Sequence, residues 1–117
     1  MSSVLVIATV GCVLANTFVA IADYMRAPFV RENSAEVGLP PTALPYLATL
    51  KLAGAAGLVM GLLGAHGLGL AAGIGLTAFF AGAVMAHVRA RVFHNIVFPG
   101  GYLLLAVAAT GYFAGRS

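Results

Sequence analysis

A chain of 117 residues with 62% hydrophobic and 8% charged side chains cannot cover a water-facing surface, because soluble domains are about 25% charged. A single domain of this length is also too small to hide so many apolar side chains in a water-soluble core. The net charge of +3 reads as a membrane-topology signal rather than a nucleic-acid footprint.

Three stretches lack Lys, Arg, Asp and Glu: Ser3 to Ala22, Leu52 to Val88 and Val92 to Gly115. A membrane span needs ~20 mostly apolar residues, so the first and third stretches are one span each. The second holds two spans, broken at "GAHGLG" (Gly64 to Gly69), where glycine and a polar His favour a turn. The expected fold is all-α, an up-down bundle of four transmembrane helices at about 3–23, 43–64, 68–89 and 95–114, with a polar loop at about 24–42.

The first span holds Cys12, the single cysteine, which excludes an intrachain disulfide and a cysteine metal site. "AIA" (Ala20 to Ala22) has the form of a signal-peptide cleavage site, but "MSSVLV" lacks the Lys or Arg of a signal peptide, so a retained span is expected. This span ends at Asp23 and Arg26, three residues apart and on one helix face. Asn16 lies two turns below Asp23 on the same face and extends a polar strip inward.

"ENSAEVGLPPTALP" (Glu32 to Pro45) is the one hydrophilic segment. It reads as a loop at the membrane surface, with Thr42 capping the second span and Pro45 in its first turn, where the missing N–H costs little. Lys51 then falls about six to nine residues inside that span, ~9–13 Å along its axis. An unpaired charge is expensive there, so Lys51 either snorkels to the interface or pairs with Asp23. Gly54, Gly57, Gly61 and Gly64 form a small-residue stripe, as do Gly75, Ala78, Gly82 and Ala86 on the third span. Such stripes let helix backbones approach closely in lipid, and they are the expected contact of a homo-oligomer. The alternative is a groove that admits a flat ligand.

The third span ends in "AHVRARVFHN" (Ala86 to Asn95), two arginines and two histidines in ten residues. If the helix continues, His87, Arg91 and His94 line one face. His87 and His94 are two turns apart, ~10 Å, too far to share one metal ion, although either could serve a haem or accept a proton. Tyr24 and Tyr102 read as interface aromatics that can also hydrogen-bond. Pro99-Gly100-Gly101 suggests a kink at the start of the fourth span. In an up-down bundle Asp23, Arg26, Lys51, His87, Arg91 and His94 gather at one end. The Lys/Arg distribution puts that end in the cytoplasm of a cell-membrane protein, with both termini outside.

"VGLPPTALPYLATLKLAGAAGLVMGLLG", "AAGIGLTAFFAGAVMAHVRAR" and "FPGGYLLLAVA" together resemble the DoxX-like family of small four-helix membrane proteins, over about Val37 to Ala108. Members often carry an acid in the second-helix motif, where this chain reads "TLKLAG" with Lys51. The resemblance implies site roles for Lys51, His87 and Arg89. It also implies a link to redox or detoxification complexes, since the family takes its name from a subunit of a thiosulfate:quinone oxidoreductase. Relatives in animals act in receptor assembly.

Three functions fit these residues. The first is a redox component handling a quinone-like lipophilic molecule, with His87, Lys51 and Arg91 as proton and hydrogen-bond donors and Asp23 holding the cations. With no cysteine pair, flavin motif or iron–sulfur spacing, its electrons would come from a partner membrane subunit or a bound haem. The second is a cofactor-independent membrane enzyme of epoxide hydrolase, isomerase or cyclase type, with Asp23 as base or nucleophile and Arg26, Lys51 or His87 polarising the leaving oxygen. The third is a non-catalytic assembly or accessory subunit. For catalysis the candidates are Asp23, Lys51 and His87; for substrate binding they are Asn16, Arg26, Arg91, His94 and Tyr102.

Overall fold

A computed structural model describes residues 2–25, 27–94 and 96–115. Four long helices form the bundle: α1 (Ser2–Tyr24), α3 (Leu44–Leu62), α4 (His66–Arg89) and α5 (Val97–Ala114). Each is long and apolar enough to cross a membrane. They pack as a ring, α1 against α3, α3 against α4, α4 against α5, and α5 back against α1. The expected all-α four-span bundle is the fold.

Most of each helix faces outward. In α1, α4 and α5 only 22% of the most apolar window is buried inside the protein. Ile7, Leu14 and Phe18 on α1 and Leu104 on α5 are exposed, which suits lipid as the surrounding solvent and not water. Inside, Cys12, Leu58, Leu76, Phe80, Ala106, Ala109 and Phe113 make one core. Polar side chains within the spans satisfy themselves locally: Thr9, Thr17, Thr77 and Thr110 each donate to the carbonyl four residues back, at 2.7–2.8 Å. This is the usual refuge of a hydroxyl in an apolar helix.

The glycine stripes divide their work. A Cβ on Gly57 would lie 2.6 Å from the Cβ of Ala72, and one on Gly61 would lie 2.5 Å from Gly69 Cα. A Cβ on Gly73 would lie 2.6 Å from Thr110 Oγ1. The stripe on α3 is therefore spent on α4 within the chain. On α4 the packing glycines are Gly69 and Gly73. Gly75 and Gly82, expected to pack, meet nothing within 4 Å.

The connections depart from expectation in three places. The polar segment after α1 contains a nine-residue helix, α2 (Pro28–Glu36), opened by proline in its first turn. Pro28 supplies the helical φ and lacks only an N–H that would be unpaired anyway. Thr42 does not cap α3: it lies in the 3-10 turn Pro41–Ala43, and the residue before α3, Ala43, offers no side-chain cap. Pro99 produces no break, because it falls in the first turn of α5, before any i→i−4 donor is required. Between α3 and α4 the chain turns on Gly64, whose φ of +124° suits glycine.

Candidate lipophile-binding cavity

The bundle is closed at the α3–α4 turn and open at the other end. There, Asp23 in the last turn of α1 meets Lys51, two turns into α3. Lys51 Nζ donates to Asp23 Oδ2 at 2.7 Å, and the two side chains are 10% and 2% exposed. Neither charge could stay ionised alone among these helices at small cost. Of the two partners the sequence offered Asp23, Lys51 is the one observed. Arg26 lies outside the described residues. The Lys51 ammonium also sits 5.6 Å from the centroid of the Phe79 ring, within cation–π range.

The remaining polar groups come from α4 and α5. His87 is buried, and its Nδ1 lies 2.8 Å from the Ala83 carbonyl. A carbonyl only accepts, so Nδ1 carries a proton. Tyr102 donates its hydroxyl to the Ala15 carbonyl at 3.1 Å, and its ring packs against Phe80 in a tilted arrangement, 5.2 Å between centroids. These side chains surround a cavity of about 690 Å³. Its walls combine Asp23, Lys51, His87 and Tyr102 with Phe79, Phe80 and Phe98. Gly82, Ala83 and Ala86 keep the α4 wall thin. Of the two small-residue stripes, the Gly82–Ala86 part of the second lines this cavity.

α2 forms the rim. Phe29, Glu32 and Glu36 line the cavity from this helix. Glu36 Oε2 lies 3.1 Å from His94 Nε2, and both side chains are solvent-accessible. This contact ties the rim helix to the α4–α5 connection. Among the described residues no group of three or more His, Cys, Asp or Glu is placed to hold a metal ion.

Of the sequence candidates, Asp23, Lys51, His87, His94 and Tyr102 come together around the cavity. Asn16 and Arg91 do not line it. Asn16 is fully buried on α1, donating to the Cys12 carbonyl at 2.8 Å and contacting Cys12 Sγ at 3.4 Å, while its Oδ1 has no hydrogen-bond partner among the described residues. Arg91 cannot share a face with His87 and His94, because α4 stops at Arg89 and Arg91 turns to φ +58°. Tyr24 bonds Thr49 at 2.8 Å outside the cavity. The sequence reading missed the aromatic walls and the acids of the rim. The adjacent phenylalanines Phe79 and Phe80 were a usable signal; the role of Glu32 and Glu36 depends on α2 being a helix.

A multi-pass bundle of four membrane-spanning helices with a polar-ended internal cavity defines the class. The sequence model of the DoxX-like family matches residues 7–109, and the chain belongs to that family. Comparison with curated proteins gave no match, and neither did comparison with solved structures.

Proposed function

We propose that the protein is a redox component of the cell membrane that handles a quinone-like lipophilic molecule in this cavity. One observation carries the reading: a cavity of about 690 Å³ has aromatic walls and an ammonium and an imidazole in the same lining. A quinone needs flat apolar walls for its ring and hydrogen-bond donors for its oxygens. Lys51 gives one of its three N–H groups to Asp23, and the others remain for a ligand oxygen. His87 adds a proton-exchanging group to the same wall. Reduction takes up two electrons and two protons. The side chains would move the protons, and the electrons would come from a partner subunit or a bound haem. The cavity end would face the cytoplasm, as the positions of Arg31, Arg89 and Arg91 favour.

The cofactor-independent enzyme reading draws on Asp23 lining the cavity as base or nucleophile; the ammonium at 2.7 Å keeps the carboxylate ionised but makes it a weaker base and nucleophile. The accessory reading needs a small-residue face for a partner: the α3 stripe is covered by α4, and the outward Gly75–Ala78 part of the α4 stripe is what remains for one.

The test is absorption and mass spectrometry of whatever co-purifies in mild detergent, for the wild type, Lys51→Met and Arg91→Gln. Retention of a quinone by the wild type and Arg91→Gln, but not by Lys51→Met, supports the proposal. A colourless, ligand-free wild type that also fails to bind added quinone refutes it.

A further inference from the structure

A second concavity of about 590 Å³ lies on the outer side of the α3–α4 seam. Its lining is wholly apolar, including Leu50, Leu68, Leu76, Ala71 and Gly75. Phe79 lines both this groove and the polar cavity. On α3 the neighbours Leu50 and Lys51 face opposite sides of the partition, Leu50 into the groove and Lys51 into the cavity. The groove runs along α4 from Leu68 to Phe79, roughly 16 Å at the helical rise.

We infer that the groove holds the hydrocarbon tail of the molecule whose polar head occupies the cavity, with Phe79 as the movable wall between them. The inference rests on the proposed quinone reading and names the ligand class: a neutral carbonyl head on a long apolar tail, not a compact water-soluble quinone. Three features favour a tail as the occupant. The side chains lining the groove are all apolar, they belong to two membrane-spanning helices, and the groove shares one side chain, Phe79, with the cavity. The wall is also coupled to the head site, because the Lys51 ammonium over the Phe79 ring is the group that would turn to a ligand oxygen. Withdrawal of the ammonium removes a contact that holds the ring in place.

The test uses two probes with the same 2,3-dimethoxy-5-methylbenzoquinone head, one without a tail and one with a decyl tail. Their binding to the wild type, Gly75→Leu and Lys51→Met is measured in lipid nanodiscs by equilibrium dialysis. A Cβ on Gly75 would meet nothing within 4 Å among the described residues, and Gly75 is exposed on the groove lining, so Gly75→Leu adds bulk at the groove; far-ultraviolet dichroism of the variant first checks that it is folded. The tail gains little from leaving lipid for an apolar groove, so the informative quantity is the steric block and not the tail's own affinity. The expected result is a loss of about tenfold or more, ~1.4 kcal/mol, for the tailed probe on Gly75→Leu, with the tailless probe unchanged. Photolabelling from a diazirine at the tail end should then mark the Leu68–Phe79 stretch of the wild type. Equal binding of both probes to Gly75→Leu and wild type, with labels spread over α1 and α5, overturns the tail groove and leaves the head site standing. If neither probe binds the wild type, or Lys51→Met binds both unchanged, the quinone reading falls and the tail groove falls with it.

Discussion

Replacing Lys51 with Met removes an ammonium and leaves the Asp23 carboxylate inside the bundle. Because the Asp23 side chain is 2% exposed, water cannot take the place of the lost partner without entering the cavity. Breaking a buried pair from one side costs about 3–5 kcal/mol, whereas replacing both partners is often neutral. Lys51→Met and Asp23→Asn should therefore each lose about 3 kcal/mol or more. The double variant should lose well under the sum, recovering at least about half of it. The chain has four tyrosines and no tryptophan, so unfolding in a detergent titration can be followed by tyrosine fluorescence, with far-ultraviolet dichroism as the second probe. If the two losses add, the groups do not interact, and the 2.7 Å contact is not what holds Asp23 and Lys51 at the head of the cavity.

Four further outcomes follow from the packing. Gly61→Ala puts a methyl 2.5 Å from Gly69 Cα and 2.7 Å from the Phe113 ring, and should cost about 1–3 kcal/mol in the same titration. Gly11→Ala meets nothing within 4 Å and should stabilise by up to about 1 kcal/mol, the difference in helix propensity. Asn16→Leu removes a buried acceptor with no hydrogen-bond partner among the described residues, so stability should stay within about 1 kcal/mol of the wild type or rise; a large loss would show that Oδ1 has a partner in the membrane. Arg91→Gly relieves a non-glycine residue at φ +58° and should gain about 1 kcal/mol with quinone binding unchanged.

The fold was legible because lipid imposes a simple rule on sequence. Runs such as Ser3 to Ala22 can only be spans, and a glycine-rich break within Leu52 to Val88 can only be a turn. The ion pair was half legible: Asp23 borders the first span and Lys51 lies inside the second, but only the crossing of α1 and α3 decides between Lys51 and Arg26 as the nearer partner. The placement of Arg91 was not legible. Continuing α4 by two residues would have put it on the face of His87, and nothing in "VRARV" marks the left-handed turn that ends the helix. α2 was missed because a nine-residue polar segment with Asn and Ser reads as loop, and its helicity begins from Pro28 and not from an apolar stripe. The aromatic walls escaped notice because phenylalanines in a membrane span match the lipid as well as they match a ligand.

Small residues do different work at the two ends of the bundle. At the end closed by the Gly64 turn, Gly61 and Gly69 bring α3 and α4 together, with the Phe113 ring of α5 against both. Towards the other end the cavity is lined by the large side chains of Lys51, Phe79, Phe80, His87 and Tyr102 together with Gly82, Ala83 and Ala86, which leave space beside them. Glycines spent on backbone contact at one end, and small residues beside unfilled space at the other, account for where the cavity lies. α2, between α1 and α3, lines that open end with Phe29, Glu32 and Glu36. Asp23 and Lys51 lie at this end and not in the packed one. There the pair links α1 to α3 at 2.7 Å, and under the proposed quinone reading the two N–H groups that Lys51 does not give to Asp23 would serve the ligand oxygen.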